Sequence, residues 1–333
     1  MEPVLEKQTL TDNSLLSNAD YHARDAQAQC VDVAAMIFPT GHAIPADSLI
    51  SAVSTILYGT ISTIINAVAP AIANDPVHTQ SVWQLLSRSG FLREPTLVDF
   101  ALARCAEVRL NANIAKNGQT AKTAQLPALL LDDANPHLAD AAQILLAAEG
   151  MRGRAGMSAA HELSPETLHQ SVWRVVAAIE VISGQRDGDI IDAAKNMLAR
   201  HDEGQIARIA ARKAVHFLTP NAQLLNADEA GLDLYIAALA VEIGLDHDHV
   251  LRLIAAHSSA PLAMMLRARR TNRVAALEAI CLVKGFDLTP RDVTDLENFY
   301  DEIDPDQTRA VILRWSIERA AFLAFTNGGG AAT

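Results

Sequence analysis

Hydrophobic residues recur along this chain at intervals of three and four, the spacing that places them on one face of an α-helix. Several of these apolar patterns begin with a capping residue followed directly by proline. The capping side chain accepts hydrogen bonds from the first free N–H groups of a helix, and proline fits the first helical position because no N–H is needed there. Five such pairs occur: Asp75-Pro76, Asn135-Pro136, Ser164-Pro165, Thr289-Pro290 and Asp304-Pro305. The pattern predicts an all-α protein with almost no strand.

The same pattern predicts how the helices are grouped. We expect an N-terminal helical segment over residues 1–40, a helical repeat domain over 41–150 and a second helical repeat domain over 164–333. Glycines at 150, 153 and 156 fall between the two domains. Because glycine weakens a helix and eases turns, they predict a linker or hinge over 151–163.

Two neighbouring segments suggest a repeat architecture. Residues 126–133 form a short apolar segment that ends in Asp132-Asp133, and a second helical pattern begins at Pro136. The pair resembles one unit of a HEAT-type repeat, in which paired helices stack and neighbouring units bury each other's faces. The predicted architecture is therefore a HEAT-like α-solenoid or a multi-helix bundle.

The segment from Ser48 to Asn74 contains no charged residue and is long enough to span a bilayer. Its strongly apolar side chains nevertheless fall on one helical face, and small or polar side chains fall on another, which favours an amphipathic helix over a membrane span. The uncharged second face predicts either burial within the fold or an interface in a homodimer. The candidate self-association residues are Thr55, Gly59, Ser62, Thr63 and Asn66.

Composition narrows the classes of partner and the cellular location. The 27 basic and 39 acidic residues give a net charge of −12, which argues against a general nucleic-acid binder. The three cysteines are widely separated and form no CxxC pair, so we expect neither a disulfide framework nor a structural zinc site. The N-terminus also lacks the basic start and apolar run of a secretion signal, which favours a cytoplasmic protein.

Candidate chemistry is sparse. The densest group of possible metal ligands is Asp246-His247-Asp248-His249, but neighbouring residues on a helix point in different directions, and the position fits a helix N-terminus where acidic side chains favour the dipole. Asp132-Asp133 suggests an Asp-rich magnesium motif, but Pro136 stands where its third carboxylate belongs. Phosphate-binding, nucleophile-elbow and HExxH motifs are absent from the sequence. We therefore predict no cofactor, no metal and no catalytic residue.

An arginine patch is the most suggestive arrangement of charge. Residues 249–277 contain no acidic side chain, whereas residues 287–306 are strongly acidic. The patch consists of Arg267, Arg269, Arg270 and Arg273. One interpretation is that it packs on the acidic segment within the fold. The other is that it binds an acidic peptide or a phosphate group of a partner, because guanidinium groups take such groups bidentately.

Several apolar helix patterns resemble a known family. The matching segments are Ala71-Ile72-Ala73-Asn74-Asp75, residues 85–92, Leu97-Val98-Asp99, residues 235–240, residues 250–254 and residues 262–268. They resemble the bacterial domain-of-unknown-function 2336 family over roughly residues 40–285. The resemblance implies a helical bacterial protein and brings with it no established activity and no catalytic residue.

These observations favour a protein-interaction, scaffold or regulatory module. A helical enzyme or small-molecule-binding protein, whose polar residues converge only in the folded chain, is the second interpretation. A nucleic-acid binder that uses the arginine patch is the third.

Overall fold

The all-α prediction is confirmed by a computed structural model of the chain. The structure describes residues 16–24, 47–117, 125–155, 159–184, 186–218, 226–256, 258–285 and 288–328. Of these residues, 86% are helical and none lies in a strand.

Eight described helices lie between residues 16 and 183. They are α1 (16–24), α2 (Asp47–Val68), α3 (Pro70–Ala73), α4 (Pro76–Arg88), α5 (Pro95–Asn117), α6 (Gln125–Leu129), α7 (Pro136–Ala155) and α8 (Pro165–Ser183). The later helices are α9 (Gly188–Ala199), α10 (Ala207–Phe217), α11 (Ala227–Ala230), α12 (Leu232–Ile243), α13 (His247–Ala255), α14 (Ala260–Ala268), α15 (Arg273–Lys284), α16 (Pro290–Phe299) and α17 (Pro305–Gly328). Short 3-10 turns join several of them, including Ala160–Glu162 and Tyr300–Glu302.

The predicted helix starts are confirmed at all five cap–proline pairs. Each helix begins at the proline, and the preceding side chain accepts a backbone N–H in every case. At Thr289 the cap is reciprocal, because Asp292 also accepts from the backbone N–H of Thr289 at 2.8 Å. Such a cap contributes about 1 kcal/mol to stability, which explains why these starts are readable from local sequence.

Two apolar cores lie along α5. The first core joins α2, α4, α8 and α9 to the N-terminal half of α5, up to Leu102. The second core begins on α5 at Ala103 and joins it to α7, α10 and α12 to α15. A single helix therefore contributes to both cores, one after the other.

The predicted hinge does not separate the two cores. Helix α7 continues through Gly150 and Gly153 as far as Ala155, so the glycine-rich sequence lies largely within a helix. The first core combines residues 53–102 with residues 159–194, which begin within the predicted hinge and continue beyond it. Helix α7 packs along α10 in the second core, and burying that face outweighs the local tendency of glycine to interrupt a helix.

Helix α2 buries one face and exposes the other. Its aliphatic side chains, such as Ile61 and Ile64, are fully buried against α5, α8 and α9. It is the one described helix whose length and mean hydropathy of 1.6 would suffice to cross a membrane, and 39% of its most apolar stretch is buried within the protein. Its opposite face turns to solvent.

Candidate functional site

The arginine patch is divided between two helices. Helix α14 ends at Ala268, and α15 begins at Arg273, so the four arginines do not form a stripe on one helix. Arg270 adopts the left-handed conformation, with φ at 61°. The N–H of Arg270 donates to the Arg267 carbonyl and the N–H of Thr271 donates to the Leu266 carbonyl, the paired bonds of a Schellman helix ending.

The conformation of Arg270 gives a prediction about stability. A non-glycine residue in this region is strained by about 1 kcal/mol, and glycine is the residue that helices prefer at this position. We expect Arg270→Gly to raise the free energy of unfolding by roughly 0.5–1 kcal/mol in urea denaturation. The matched control is Arg200→Gly. Arg200 ends α9 in the ordinary right-handed conformation, so glycine there should lower the free energy of unfolding by a similar amount. A loss at Arg270 as well would contradict the strain argument.

Three of the patch arginines contact the acidic C-terminal segment. Arg267 donates to the backbone carbonyls of Ile303 at 2.7 Å and Asp301 at 2.9 Å, and its guanidinium lies over the Tyr300 ring. Arg273 lies 3.3 Å from the Asp301 carboxylate. Arg270 is 4.0 Å from the Asp306 carboxylate. Such contacts are expected if the patch packs on the acidic segment within the fold, because they hold residues 297–306 against α14 and α15.

Arg269 differs from the other three arginines. Its side chain turns toward α12, where its Nε lies 2.5 Å from Oε2 of Glu242. The predicted patch is therefore not one surface, because three of its members face the acidic segment and the fourth faces another helix.

The candidate self-association residues lie on the solvent side of α2. Thr55, Thr63 and Asn66 are exposed, whereas Gly59 and Ser62 are half-buried. The Thr55 hydroxyl donates to the Ser51 carbonyl at 2.7 Å, and the Thr63 hydroxyl donates to the Gly59 carbonyl at 2.9 Å. Both hydroxyls are thereby satisfied within the helix. We call this uncharged strip the α2 face.

A network of buried charges, which sequence reasoning missed, occupies the junction of the two cores. Arg104 and Glu107 come from α5 at the point where it passes from the first core to the second. The other members come from the surrounding helices and one 3-10 turn. They are Arg152 (α7), Glu162 (residues 160–162), Arg208 (α10), Asp233 (α12) and Asp248 (α13). We call these seven residues the central ion network.

Arg152 connects three carboxylates of the central ion network. Its Nε donates to Glu162 at 2.9 Å, its Nη1 donates to Asp233 at 2.8 Å, and it also donates to Glu107. The exposed fractions of the Glu162, Asp233 and Glu107 side chains are 0%, 5% and 7%. An ionised carboxylate at such depth requires a charged partner, and Arg152 is shared among all three.

Arg104 joins the remaining parts of the network. Its Nη2 donates to Asp248 at 2.8 Å, and its other terminal nitrogen contacts Glu107. Arg208 approaches from α10 and donates to the backbone carbonyl of Glu162 at 2.7 Å. The network thus ties five helices and one 3-10 turn together at the contact between the cores.

A second cluster of buried ions continues the network along α5. Asp99 accepts from Arg252 of α13 and from Arg319 of α17. Arg319 also donates to Asp246, the residue that caps α13, at 3.2 Å. The C-terminal helix is therefore fixed to the centre of the protein through its arginine.

Burial and charge separate the pKa values of the acidic groups. Burial opposes ionisation of Glu162, but the charges of Arg152 and Arg104 outweigh it and lower its pKa. Burial likewise opposes ionisation of Asp248, and Arg104 and Arg208 lower its pKa to about 2. For Glu107 burial dominates and raises the pKa to about 7.

Glu149 is a further acidic group beside the network. Burial and the negative charge of Asp233 raise its pKa to about 7. A carboxyl group with such a pKa suits general acid–base catalysis, but raised values also occur in structural networks. Both carboxylate oxygens of Glu107 are already held by arginines, which is the arrangement of a structural network.

His247 and His249, the two histidines of the candidate metal-ligand group, lie beside different residues. The Nε2 of His247 lies 3.8 Å from Asp233, whereas His249 is buried near Asp246 and Arg319. Burial lowers the pKa of His249 to about 4. Within the described ranges, no group of three or more histidine, cysteine, aspartate or glutamate side chains has an arrangement that could hold a metal ion.

Comparisons with models of known protein families, with curated proteins and with solved structures found no match. The resemblance to the domain-of-unknown-function 2336 family therefore stays a prediction.

Proposed function

We propose that this protein is an interaction module of the helical type, without catalytic activity, and that its α2 face binds a second copy of the chain. The observation that carries the proposal is an exposed helical face without charge on a protein whose net charge is −12. Two copies of so acidic a protein repel each other over most of their surfaces. The α2 face is a place where they can approach with no like-charge contact.

The chemistry of the α2 face also suits a close approach of two helices. Thr55, Gly59 and Thr63 stand four residues apart, so their small side chains follow one line along the helix. With both threonine hydroxyls satisfied within the helix, the face can lose water without leaving these donors unpaired. In a twofold dimer the same patch would meet itself.

The size of the face indicates a weak dimer. A helix of 22 residues is about 33 Å long and about 10 Å wide, so α2 alone would cover roughly 300 Å² on each copy. Stable interfaces bury about 800 Å² per partner. We therefore expect a dissociation constant in the micromolar range, or contributions from the neighbouring α3 and α4.

The test is the mass in solution as a function of concentration. We expect light scattering to show the 35.7 kDa monomer at low concentration and a transition toward twice that mass as concentration rises. Thr55→Glu would place like charges in the interface and should raise the dissociation constant about 100-fold. A wild-type chain that stays monomeric at high concentration would contradict the proposal.

Thr294→Glu is the matched control for this test. Thr294 is exposed on α16, and its hydroxyl donates to the Pro290 carbonyl at 3.0 Å, just as Thr55 does to Ser51. The control therefore makes the same chemical change in the same local setting, away from α2. Equal effects of the two variants would show that added negative charge alone, and not the α2 face, controls association.

We also propose that the helices form a multi-helix bundle and not a HEAT-like α-solenoid, the two architectures that the sequence predicts. Sequential neighbours such as α8 and α9 pack side by side, as the helices of a repeat unit do. Helix α5, however, packs on α13 and α15, which are distant in sequence. In a solenoid each unit contacts its neighbours, so these contacts favour the multi-helix bundle over the HEAT-like solenoid.

The contacts of the arginine patch lend no support to the nucleic-acid interpretation. Arg267 and Arg273 already hold the acidic C-terminal segment. A phosphate backbone approaching them would meet the carboxylates of that segment first.

The cytoplasmic location and the absence of a membrane span remain proposals.

A further inference from the structure

Tyr58 and Trp83 form an aromatic pair at the edge of the α2 face. Tyr58 lies on α2, directly before Gly59, and is 41% exposed. Trp83 lies on α4 and is half-buried. The ring centroids are 5.3 Å apart, and the rings meet edge to face at an angle of 67°. The aromatic pair therefore connects the α2 face with the neighbouring helix.

The polar groups of the aromatic pair are free to bond outside the described chain. The indole N–H groups of Trp173 and Trp315 donate to other side chains at 3.1 Å and 3.2 Å. The indole N–H of Trp83 and the hydroxyl of Tyr58 make no hydrogen bond to any described residue, and neither is shielded from solvent. A ring with a free donor suits an interface, because it offers apolar area and a hydrogen bond together.

The surface around the aromatic pair carries almost no charge. Within residues 48–87 the only Asp, Glu, Lys or Arg is Asp75, whose carboxylate is paired with His78 at 2.7 Å. Asp75 caps the start of α4, so about 12 Å of helix separates it from Trp83. Arg88 ends α4 on a side about 140° around the helix from Trp83. The uncharged surface of α2 thus continues across the aromatic pair onto α4.

Exposed amide side chains lie on the same two helices. Asn66 on α2 and Gln80 and Gln84 on α4 are exposed, and none of these amides bonds to a described residue. Their carbonyl oxygens can accept hydrogen bonds from the free donors of a second copy. A neutral surface that offers both donors and acceptors can pair with itself, as a twofold interface requires.

We propose that Tyr58 and Trp83 anchor an interface between two copies of this chain, which extends from the α2 face onto the exposed side of α4. The inference rests on the proposed function and adds the residues that supply most of its binding energy. Tyrosine and tryptophan are enriched at such anchor positions, because each buries a large rigid ring at little cost in entropy.

The area of the extended surface agrees with a weak dimer. The 13 residues of α4 add about 20 Å of helix, which raises the contact to roughly 500 Å² on each copy. The total of about 1,000 Å² is at the lower limit for a specific interface. Aromatic side chains also occur at membrane surfaces, but residues 48–87 contain no lysine or arginine to attract anionic lipids.

Sedimentation equilibrium of the full chain tests the anchor. We expect Tyr58→Ala to raise the dissociation constant of the dimer about 30-fold, because it removes the exposed ring. Trp83→Phe keeps a ring and removes only the indole N–H, so we expect an increase of ~3–10-fold. Circular dichroism establishes that each variant is folded, and Trp83→Phe decides the matter if Tyr58→Ala does not fold.

The chain offers a matched control for each variant. Tyr21 is exposed on α1 and makes an edge contact with His22 at the same centroid distance of 5.3 Å, so Tyr21→Ala removes a similar ring away from α2. Trp173 is half-buried like Trp83, but its N–H is already bonded, so Trp173→Phe removes no donor from the proposed interface. Neither control should change the dissociation constant.

The outcomes separate the anchor from the proposed function. If Thr55→Glu weakens association and neither Tyr58→Ala nor Trp83→Phe does, the anchor is overturned and the α2 dimer stands. The reverse result would support the anchor and contradict the role of Thr55. A wild-type chain that stays monomeric would overturn both. If that monomer sediments with phosphatidylcholine vesicles and Tyr58→Ala does not, the surface binds lipid instead of a second copy.

Discussion

Replacing Arg152 by methionine is expected to lower the free energy of unfolding by about 3–5 kcal/mol. Methionine keeps the unbranched stem of arginine but removes the guanidinium that Glu107, Glu162 and Asp233 share. These carboxyl groups then lie buried with fewer partners. Each must either ionise without the arginine charge, which costs free energy, or stay protonated. Urea denaturation at pH 7, followed by circular dichroism, measures the loss.

The control for Arg152 is an arginine whose ion pair is exposed. Arg186 is 81% exposed and lies 3.8 Å from Glu180. We expect Arg186→Met to change stability by less than about 0.5 kcal/mol, because exposed ion pairs contribute little. Similar losses for the two variants would contradict the central role of Arg152.

A double variant distinguishes the loss of charge pairing from the loss of packing. If the unpaired carboxylates cause the instability, Glu162→Gln in the Arg152→Met background should restore part of the stability, because it removes one buried negative charge. If lost packing is the cause, the second substitution should add to the damage.

The sequence predicts the helices of this protein much better than it predicts the central ion network. Cap–proline pairs such as Ser164-Pro165 act through residues two or three positions apart, so local sequence is enough to place them. Arg152 acts on residues up to 81 positions away. No local pattern connects it with Asp233, although a charge within an otherwise apolar helix such as α12 is a signal that a buried partner exists.

The glycine-rich sequence around Arg152 shows that local composition alone does not predict the packing. Glycine content alone favours an interruption at 150–156, but the ion pairs of Arg152 hold the end of α7 against α12 and the 160–162 turn. The arginine patch illustrates the same limit. Its charge complementarity with residues 287–306 was visible in the sequence, and only the folded chain separates Arg269 from the other three arginines.

The network also predicts an unusual dependence of stability on pH. The pKa of Glu107 and of Glu149 is about 7 in the folded protein, compared with 4.5 for an ordinary glutamate. Between these values the folded state binds more protons than the unfolded state, so stability falls as the pH rises from about 4.5 to above 7. In the opposite sense, the lowered pKa values of Glu162, Asp233 and Asp248 remove stability as the pH falls below about 4.

We therefore expect Glu107 and Glu149 to remove stability between pH 5 and pH 8, and the lowered pKa of His249 to offset part of that loss below about pH 6.5. Glu149→Gln should reduce the loss, because glutamine retains the neutral form that the folded state prefers and Glu107 continues to titrate. Glu278→Gln, at an exposed position on α15, should leave the pH profile unchanged. Urea denaturation at pH 5, 6, 7 and 8 gives the profile for each variant. Identical profiles for the wild type and Glu149→Gln would show that the arginines keep Glu149 ionised, because their attraction would then exceed the cost of burial.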